Sequence, residues 1–228
     1  MKTTAVLIIF AKYPQPGRVK TRLIGSISAE QAAELHRHCL VATWRVAAGV
    51  PGTRPLLAIS PDDAATEFQR VLGDDAACRP QGQGDLGARL ERAARRAFEE
   101  SAGRVILLGC DCPSLDRRTI ETALRALDDA DVVLGPAVDG GYYLLGLRSS
   151  APLLFERIDW GTDRVAAQTR ARCDEAGLSI HELAALRDLD RWEDLAAWVR
   201  DCPTAPRHVT DLRSFVNQLL SEADRVSD

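Results

Sequence analysis

AVLIIF (residues 5–10) runs directly into the cation-rich segment FAKYPQPGRVKTRL (residues 10–23). The first stretch is apolar at every position, so it has no polar face to turn toward water. Such a run is typical of a strand that is buried on both sides of a parallel sheet. The sequence therefore opens with a buried strand whose carboxyl end carries a loop of positive charge.

The rest of the chain continues this alternation of apolar runs and amphipathic segments. Further strands are predicted at PLLAI (55–59), VILLG (105–109), VVLG (132–135), YYLLGL (142–147) and, more weakly, LSIHEL (178–183). Helices are predicted at residues 28–48, 62–72, 85–101, 119–127, 162–176, 191–200 and 212–223. This order predicts an α/β fold, a three-layer α/β/α sandwich with a mostly parallel central sheet. We expect one domain over residues 1–228, with a core at about 5–200 and a C-terminal helix at about 207–224.

Composition excludes several classes of protein. Hydrophobic residues make up 46% of the 228 residues and charged residues 27%, which argues against disorder, and the formal net charge is −4. No concentrated basic face indicates a nucleic-acid or membrane-surface binder, and no apolar run reaches the ~20 residues of a membrane span. We therefore expect a cytoplasmic protein with no nucleic-acid or membrane partner. We also expect its six cysteines to be reduced thiols, and Cys110 and Cys112 to be structural rather than zinc ligands.

The loop after the first strand is the first candidate site. It carries Lys12, Arg18, Lys20 and Arg22, with Gly17 and two prolines setting its turns. Cationic side chains at the carboxyl end of a strand in an open α/β sheet indicate an anionic ligand, such as a nucleotide diphosphate or triphosphate. A solvated surface loop is the alternative. The glycine-rich phosphate loops G-x-G-x-x-G and G-x-x-x-x-G-K-[ST] are both absent from the sequence.

The segment GCDCPSL (residues 109–115) places Asp111 just beyond a buried strand. A carboxylate at this position suits Mg²⁺, which binds one or two carboxylates together with phosphate oxygens. A turn acid or helix N-cap is an equally good interpretation, and Asp116 is predicted to cap the next helix.

The segment GPAVDGGYYLLGL (residues 135–147) contains Asp139, Gly140 and Gly141. We expect this loop to open at the same sheet edge as Asp111, which makes Asp139 a candidate second carboxylate or substrate-contacting group. The glycines allow a ligand to approach the backbone closely. A tight hairpin turn is the alternative, because Asp-Gly is the common signal for one.

Two further segments have weaker signals. PQGQGDLGARL (residues 80–90) could bind a sugar or phosphate through free amides at a helix N-terminus, or could simply start the helix. RDLDRWEDL (residues 187–195) supplies Asp188 and Asp190, and Asp190 is best interpreted as an N-cap.

Together, these motifs resemble an uncharacterised bacterial family of glycosyltransferase-like proteins, linked in some members to arsenosugar biosynthesis. The resemblance covers residues 5–199 and includes IDWGTDRV (residues 158–165). The family belongs to the nucleotide-diphospho-sugar transferase superfamily, with the Rossmann-like GT-A fold, and is similar to phospholactate and molybdenum-cofactor guanylyltransferases. The resemblance implies a nucleotide-binding loop at residues 12–22, a metal ligand at Asp111 and an acceptor-facing loop at Asp139.

The chain also departs from the family's pattern. Cys110 and Cys112 flank Asp111, so only one metal carboxylate is assured there. In the late acidic segment, Arg191 and Trp192 replace a usual small turn pair, which leaves a ligand role for Asp188 or Asp190 open.

The first functional hypothesis is a metal-dependent glycosyltransferase that moves a sugar from a nucleotide sugar to a small-molecule acceptor. Lys20 and Arg22, with Mg²⁺ or Mn²⁺ on Asp111, would neutralise the departing diphosphate. Asp139 would orient or deprotonate the acceptor hydroxyl. Nucleotide binding is assigned to Lys12, Gly17, Arg18, Lys20, Arg22, Gly84, Asp85 and Arg89, and acceptor binding to Gly140, Gly141 and Trp160.

Two alternatives remain. In a nucleotidyltransferase, the same loop would hold an NTP while a substrate phosphate attacks the α-phosphorus and pyrophosphate leaves. The third hypothesis is a catalytically silent nucleotide-binding protein, because fold alone does not establish activity.

Overall fold

The computed structural model describes residues 4–202 and 206–227, and these residues form the predicted α/β architecture. The strands are β1 (Ala5–Lys12), β2 (Thr53–Ser60), β3 (Cys78–Pro80), β4 (Arg104–Leu108), β5 (Val132–Pro136), β6 (Tyr142–Leu147) and β7 (Ile180–Glu182). The α-helices are α1 (Ala29–Ala48), α2 (Ala65–Leu72), α3 (Leu86–Glu99), α4 (Arg117–Ala126), α5 (Val165–Ala176), α6 (Trp192–Asp201) and α7 (Thr210–Ser227). Short 3₁₀ helices lie at Thr21–Leu23, Pro152–Phe155 and Arg207–Val209.

The described strands form one mostly parallel sheet in the order β3-β2-β1-β4-β6-β5-β7. Strand β1 pairs in parallel with β2 and β4, and β5 pairs in parallel with β7. Strand β6 lies between β4 and β5 and is antiparallel to both. The carboxyl ends of β1, β4, β5 and β7 therefore lie at one edge of the sheet, together with the β5–β6 turn.

Alternating side chains of β1 enter two separate cores. Leu7 and Ile9 belong to the core under α1, α2 and α4, whereas Val6 and Ile8 belong to the core under α3 and α5. Because both faces are covered, β1 needs no polar face, which explains its uninterrupted apolar sequence. The predicted three-layer sandwich is confirmed.

A third cluster attaches the last two helices to α1. Leu35 of α1, Trp198 of α6 and Val216 of α7 are all buried in it. This packing places the loop before α6 beside the β1 and β4 edge of the sheet, where Leu189 donates a backbone hydrogen bond to the carbonyl of Asp111 at 2.9 Å.

Three of the seven described α-helices, α1, α3 and α4, start at the capping residues that the sequence indicates. Ser28 and Gln31 form the predicted capping box, and Asp116 caps α4. Three predictions were wrong. Helix α2 begins at Ala65 rather than at residue 62, and its start has no side-chain cap. Asp190 does not cap α6, because the Asp194 carboxylate accepts the backbone N–H of Arg191 at 2.8 Å instead. Helix α5 begins at Val165 rather than at residue 162, and its start has no side-chain cap.

Strand β3 was not predicted, since its three residues, CRP, lack an apolar run. The six cysteines are free thiols, as expected. The connector predicted at 201–207 includes residues 203–205, which lie outside the described residues, and the domain limits stay a prediction. No helix in the described part of the chain has the length and apolar character needed to cross a membrane.

Candidate active site

Three adjoining cavities occupy the carboxyl edge of the sheet. The basic cavity, of about 490 Å³, lies over the loop after β1 and is lined by Lys12, Arg18, Lys20, Arg22 and Arg89 among others. The apolar cavity, of about 270 Å³, lies between the N-terminal turn of α3, the β5–β6 turn and the loop before α5. The acidic cleft, of about 160 Å³, is lined by Asp111, Asp139, Asp188 and Asp190.

Lys20 is the buried centre of the basic cavity. Its φ of 49° lies in the left-handed region, and only 1% of its side chain is exposed. The ammonium nitrogen Nζ lies 2.5 Å from Oδ1 of Asp111 and 3.2 Å from Oδ1 of Asp190. Burial alone would lower the pKa of Lys20, but these two carboxylates raise it well above its ordinary value. Lys20 is therefore a fixed positive charge between two loops that are distant in sequence.

Asp111 is held as a carboxylate by its neighbours. Burial opposes its ionisation, but Lys20 and His36 keep its pKa well below the usual range. The Nε2 atom of His36 donates to the carbonyl of Lys12 at 3.0 Å, which orients the ring so that Nδ1 lies 3.7 Å from Asp111. Sequence reasoning missed His36 as a site residue, because nothing in the spacing of α1 relates it to a loop some 75 residues later.

The acidic cleft concentrates negative charge, because its described lining contains four aspartates and no cationic side chain. Asp188 is only 8% exposed, and burial together with the carboxylates of Asp139 and Asp190 raises its pKa to about 6. Asp190 is shared with the basic cavity, where Arg22 Nη1 lies 3.4 Å from its Oδ2. The sequence left the roles of Asp188 and Asp190 open, and the fold brings both to Asp111.

The carboxylates of the acidic cleft fit a divalent cation. Mg²⁺ and Mn²⁺ prefer oxygen ligands, and a cation here would relieve the repulsion that raises the pKa of Asp188. Asp111, Asp188 and Asp190 line this cleft and are candidate ligands, but among the described residues the potential ligands whose donor atoms all lie within 4.8 Å of one another are His36, Cys110 and Asp111. Cys110 also lies near Asp111 and His36, but burial raises the pKa of its thiol well above the ordinary value. Without a bound metal, Cys110 is therefore a protonated thiol, and its assignment as a structural residue stays a prediction.

The β5–β6 turn has the tight hairpin geometry that was one of its two interpretations, and substrate contact by Asp139 stays a prediction. It is a tight hairpin turn, in which Asp139 Oδ1 accepts the backbone N–H of Gly141 at 2.8 Å. Gly140 has φ +90°, and a Cβ there would collide with the carbonyl of Asp163. The same turn also lines the cavities, through Asp139 and Gly141. The loop before α5 thus holds Asp139 at the edge of the site.

Trp160 forms a wall of the apolar cavity. Its indole packs against α3 at Gly87, where an added Cβ would lie 2.5 Å from Nε1 of the indole. Tyr142 meets the Trp160 ring edge-on, with the ring centroids 6.3 Å apart. Phe10 and Leu86 line the same cavity. The predicted acceptor residue Trp160 is therefore built into a preformed apolar surface.

The segment at residues 80–90 starts α3 as predicted, and its predicted role in binding a sugar or phosphate stays a prediction. Asp85 caps α3 by accepting the backbone N–H of Ala88 at 2.8 Å, and Arg89 Nε donates to the carbonyl of Gly84 at 2.8 Å. Gly84, Asp85 and Arg89 also line the basic cavity. Gly17, with φ +74°, turns the loop and lies outside the lining of this cavity.

Gln81 also lines the basic cavity and was not singled out from sequence. Its Nε2 donates to the carbonyl of Ala58 at 2.9 Å, and its Oε1 faces Nη1 of Arg89 at 3.5 Å. A glutamine that is 6% exposed and hydrogen-bonded in this way is held in one orientation.

Comparison with known proteins identifies the family of this chain. Residues 43–162, just over half of the chain, match the family described as "Uncharacterized protein conserved in bacteria (DUF2064)". The chain belongs to this family. The match includes Asp111 and Asp139 but not the loop of Lys20.

Named relatives of this DUF2064 protein include two guanylyltransferases. The phosphoenolpyruvate guanylyltransferase of Rubrobacter xylanophilus is 33% identical over 64% of this chain and 70% of its own length. The 2-phospho-L-lactate guanylyltransferase of a Methanocaldococcus species is 30% identical over 58% of this chain. The DUF2064 chain spans about half of the length of that second relative, 54%.

Solved structures share the fold. A protein from Desulfovibrio desulfuricans G20, named as a "putative nucleotide-diphospho-sugar transferase", is 30% identical, covers 97% of both chains and has a TM-score of 0.90. A manganese complex of a Mycobacterium tuberculosis protein is 15% identical over 87% of this chain and 99% of that chain, with a TM-score of 0.52, which shows the fold alone. The resemblance to the nucleotide-diphospho-sugar transferase superfamily is confirmed, and with it the predicted fold class.

Proposed function

We propose that this DUF2064 protein is a metal-dependent nucleotidyltransferase, which couples an NTP to a phosphorylated small molecule and releases pyrophosphate. The carrying observation is that Arg22 and Asp190 line both the basic cavity and the apolar cavity. Two substrates bound in these cavities would meet beside Lys20 and Asp111. The names of the guanylyltransferase relatives support this alternative over the glycosyltransferase hypothesis.

The basic cavity is suited to the NTP. Its volume of about 490 Å³ lies in the range of small-molecule sites, and Lys12, Arg18 and Arg22 supply cations for the phosphates. At the other end, Gln81 Oε1 can accept a hydrogen bond and the Arg89 guanidinium can donate one. These are the partners that the N–H group and carbonyl oxygen of guanine require, so we expect GTP to be preferred.

The reaction joins two phosphates. An oxygen of the acceptor phosphate attacks the α-phosphorus of the NTP, the new P–O–P bond forms, and the bond from the α-phosphorus to the bridging oxygen breaks as pyrophosphate leaves. A phosphate monoester is already an anion at neutral pH, so the attack needs no general base. Under this reaction Asp139 positions the acceptor, and its predicted role in deprotonation is not required.

The residues of the chain supply positioning and charge. Lys20 is held in place by Asp111 and Asp190, so its ammonium is ready to stabilise negative charge without rearrangement. Arg22, half exposed at the junction and paired with Asp190, is placed to contact the acceptor phosphate or the leaving pyrophosphate. A divalent cation on Asp111, Asp188 and Asp190, when bound, would neutralise phosphate oxygens in the same step.

Glycosyl transfer stays the second candidate, on the likeness to the Desulfovibrio protein over 97% of both chains. In that reaction the basic cavity would hold a nucleotide sugar, Asp139 would orient the acceptor hydroxyl, and a nucleoside diphosphate would leave. The leaving group therefore distinguishes the two reactions.

The test measures binding and product together. Purified protein is heated with each NTP and each common nucleotide sugar, with and without Mg²⁺ or Mn²⁺, and then incubated with phosphoenolpyruvate or 2-phospho-L-lactate. Metal-dependent stabilisation by GTP with acceptor-dependent pyrophosphate release is expected, and Asp111→Asn should abolish the release. The control Asp129→Asn, at an exposed turn before the amino end of β5, should not. A nucleoside diphosphate product would establish glycosyl transfer instead, and nucleotide binding without either product would establish the silent protein.

A further inference from the structure

The apolar cavity constrains the acceptor, on the basis of the nucleotidyl transfer proposed above. At about 270 Å³ it approaches the ~300 Å³ at which small-molecule sites begin, so it has room for more than a phosphate. Phe10, Leu86, Leu90, Tyr142 and Trp160 line it. A three-carbon phosphoacid has little apolar surface to bury against these side chains.

The charged side chains around this cavity also limit which acceptors can bind. Among the described residues, Arg22 is the one cationic side chain in its lining, and Arg22 lies at the junction with the basic cavity, 3.4 Å from Asp190. The other charged groups in the lining are the carboxylates Asp139 and Asp190. A second acid group on the acceptor, placed deep in this cavity, would lose its hydration and meet no cation. The lining therefore disfavours an acceptor that carries a second acid group beyond its phosphate.

The cavity is preformed rather than an accident of loose packing. Gly87 lets the Trp160 indole lie directly on α3, and Ala166 donates a 2.9 Å backbone hydrogen bond to Gly140, which joins the β5–β6 turn to the start of α5. An aromatic wall held in this way favours a planar partner, because aromatic rings stack or meet edge to face.

The geometry points to an acceptor that is a phosphate monoester with an uncharged, apolar and preferably aromatic body. Its phosphate would lie at the junction beside Arg22, and its body would fill the cavity against Trp160. This differs from the phosphoenolpyruvate and 2-phospho-L-lactate for which the relatives are named, since both carry a carboxylate next to the phosphate.

Three matched phosphates test this inference with GTP and Mg²⁺ in the pyrophosphate-release assay. Ethyl phosphate is the reference, 2-phospho-L-lactate adds a carboxylate to it, and 1-phenylethyl phosphate carries a phenyl ring in place of that carboxylate. We expect kcat/KM for the phenyl compound to exceed that for 2-phospho-L-lactate by at least about tenfold, which corresponds to ~1.4 kcal/mol. A preference for 2-phospho-L-lactate would overturn the inference while leaving nucleotidyl transfer in place.

Variants of the cavity lining test whether these side chains cause the preference for the phenyl compound. Trp160→Ala should reduce the phenyl-to-carboxylate ratio of kcat/KM by about tenfold, whereas Trp44→Ala, on the opposite face of the sheet, should leave the ratio as it is. Leu86 is 42% exposed, so Leu86→Ala should fold normally and should lower the same ratio if Trp160→Ala does not fold. An unchanged ratio in Leu86→Ala and Trp160→Ala would overturn the inference. Absence of pyrophosphate with all three phosphates, without stabilisation by any NTP, would overturn both the inference and the proposed function.

Discussion

Replacing Asp188 by asparagine is expected to stabilise the metal-free protein at neutral pH. The side chain is only 8% exposed and lies near the carboxylates of Asp139 and Asp190, which together with burial raise its pKa from 3.8 to about 6. Ionisation of Asp188 therefore destabilises the folded protein. Asparagine has nearly the same shape and removes the charge, so the repulsion disappears while the packing remains.

The pKa sets the size and pH dependence of this effect. A rise of about two units corresponds to at most ~3 kcal/mol, and solvent in the open cleft screens this to about 1–2 kcal/mol. The pKa of Asp188 is higher in the folded protein than in the unfolded chain. Asp188 therefore does not lower the free energy of unfolding of the wild type below the unfolded-state pKa, and it lowers this free energy progressively as pH rises toward the folded-state pKa. The gain in the free energy of unfolding from Asp188→Asn should accordingly be absent below about pH 4 and complete above about pH 7.

Urea unfolding in the presence of EDTA, at several pH values, measures this difference directly. The control is Asp129→Asn, an exposed acid away from the cleft, which should change stability by less than about 0.5 kcal/mol. Added Mg²⁺ or Mn²⁺ should stabilise the wild type and have a much smaller effect on Asp188→Asn. A variant that is less stable than wild type at neutral pH, or whose advantage persists at about pH 4, would refute the electrostatic argument.

Three further changes test other parts of the site. Lys20→Met should lower kcat/KM in the pyrophosphate assay by about 100-fold or more, because a preorganised charge is lost, and near-normal turnover would contradict this role. EDTA should abolish turnover without changing the far-UV circular dichroism, and Mg²⁺ or Mn²⁺ should restore it; activity that survives exhaustive chelation would exclude the metal requirement. Gly140→Ala should cost about 2–4 kcal/mol in urea unfolding, because φ is +90° and Cβ collides with the Asp163 carbonyl, whereas Gly25→Ala, which has φ +114° but open space, should cost less.

The local pattern of the chain predicted the elements well. Apolar runs without a polar face identified five of the seven described strands, because a strand covered on both sides must be apolar throughout, and the weaker LSIHEL signal identified β7. Ser28, Asp85 and Asp116 marked helix starts correctly, since capping depends on residues three positions apart. Strand β3 was not predicted because its pairing with β2 depends on a neighbour more than 20 residues away, not on its own side chains.

The same local reasoning gave a wrong prediction at Asp190. A carboxylate just before a helix is usually a cap, but Asp194 takes that role and Asp190 faces Lys20, 170 residues earlier in the chain. His36 was missed for a similar reason, because its contact with Asp111 arises from the packing of α1 against the sheet. Such contacts leave no periodic signal in the sequence.

The order of strands and helices, the buried character of the sheet and the cationic loop after β1 are properties of neighbouring residues, and they can be inferred from the chain alone. The convergence of Lys20, Asp111, Asp188 and Asp190, and the apolar cavity beside Trp160, depend on how distant segments pack. Parallel strands bring their carboxyl ends to one edge of the sheet, but the side chains that meet there are selected by strand order. That order is decided by long-range burial, and only the folded chain displays it.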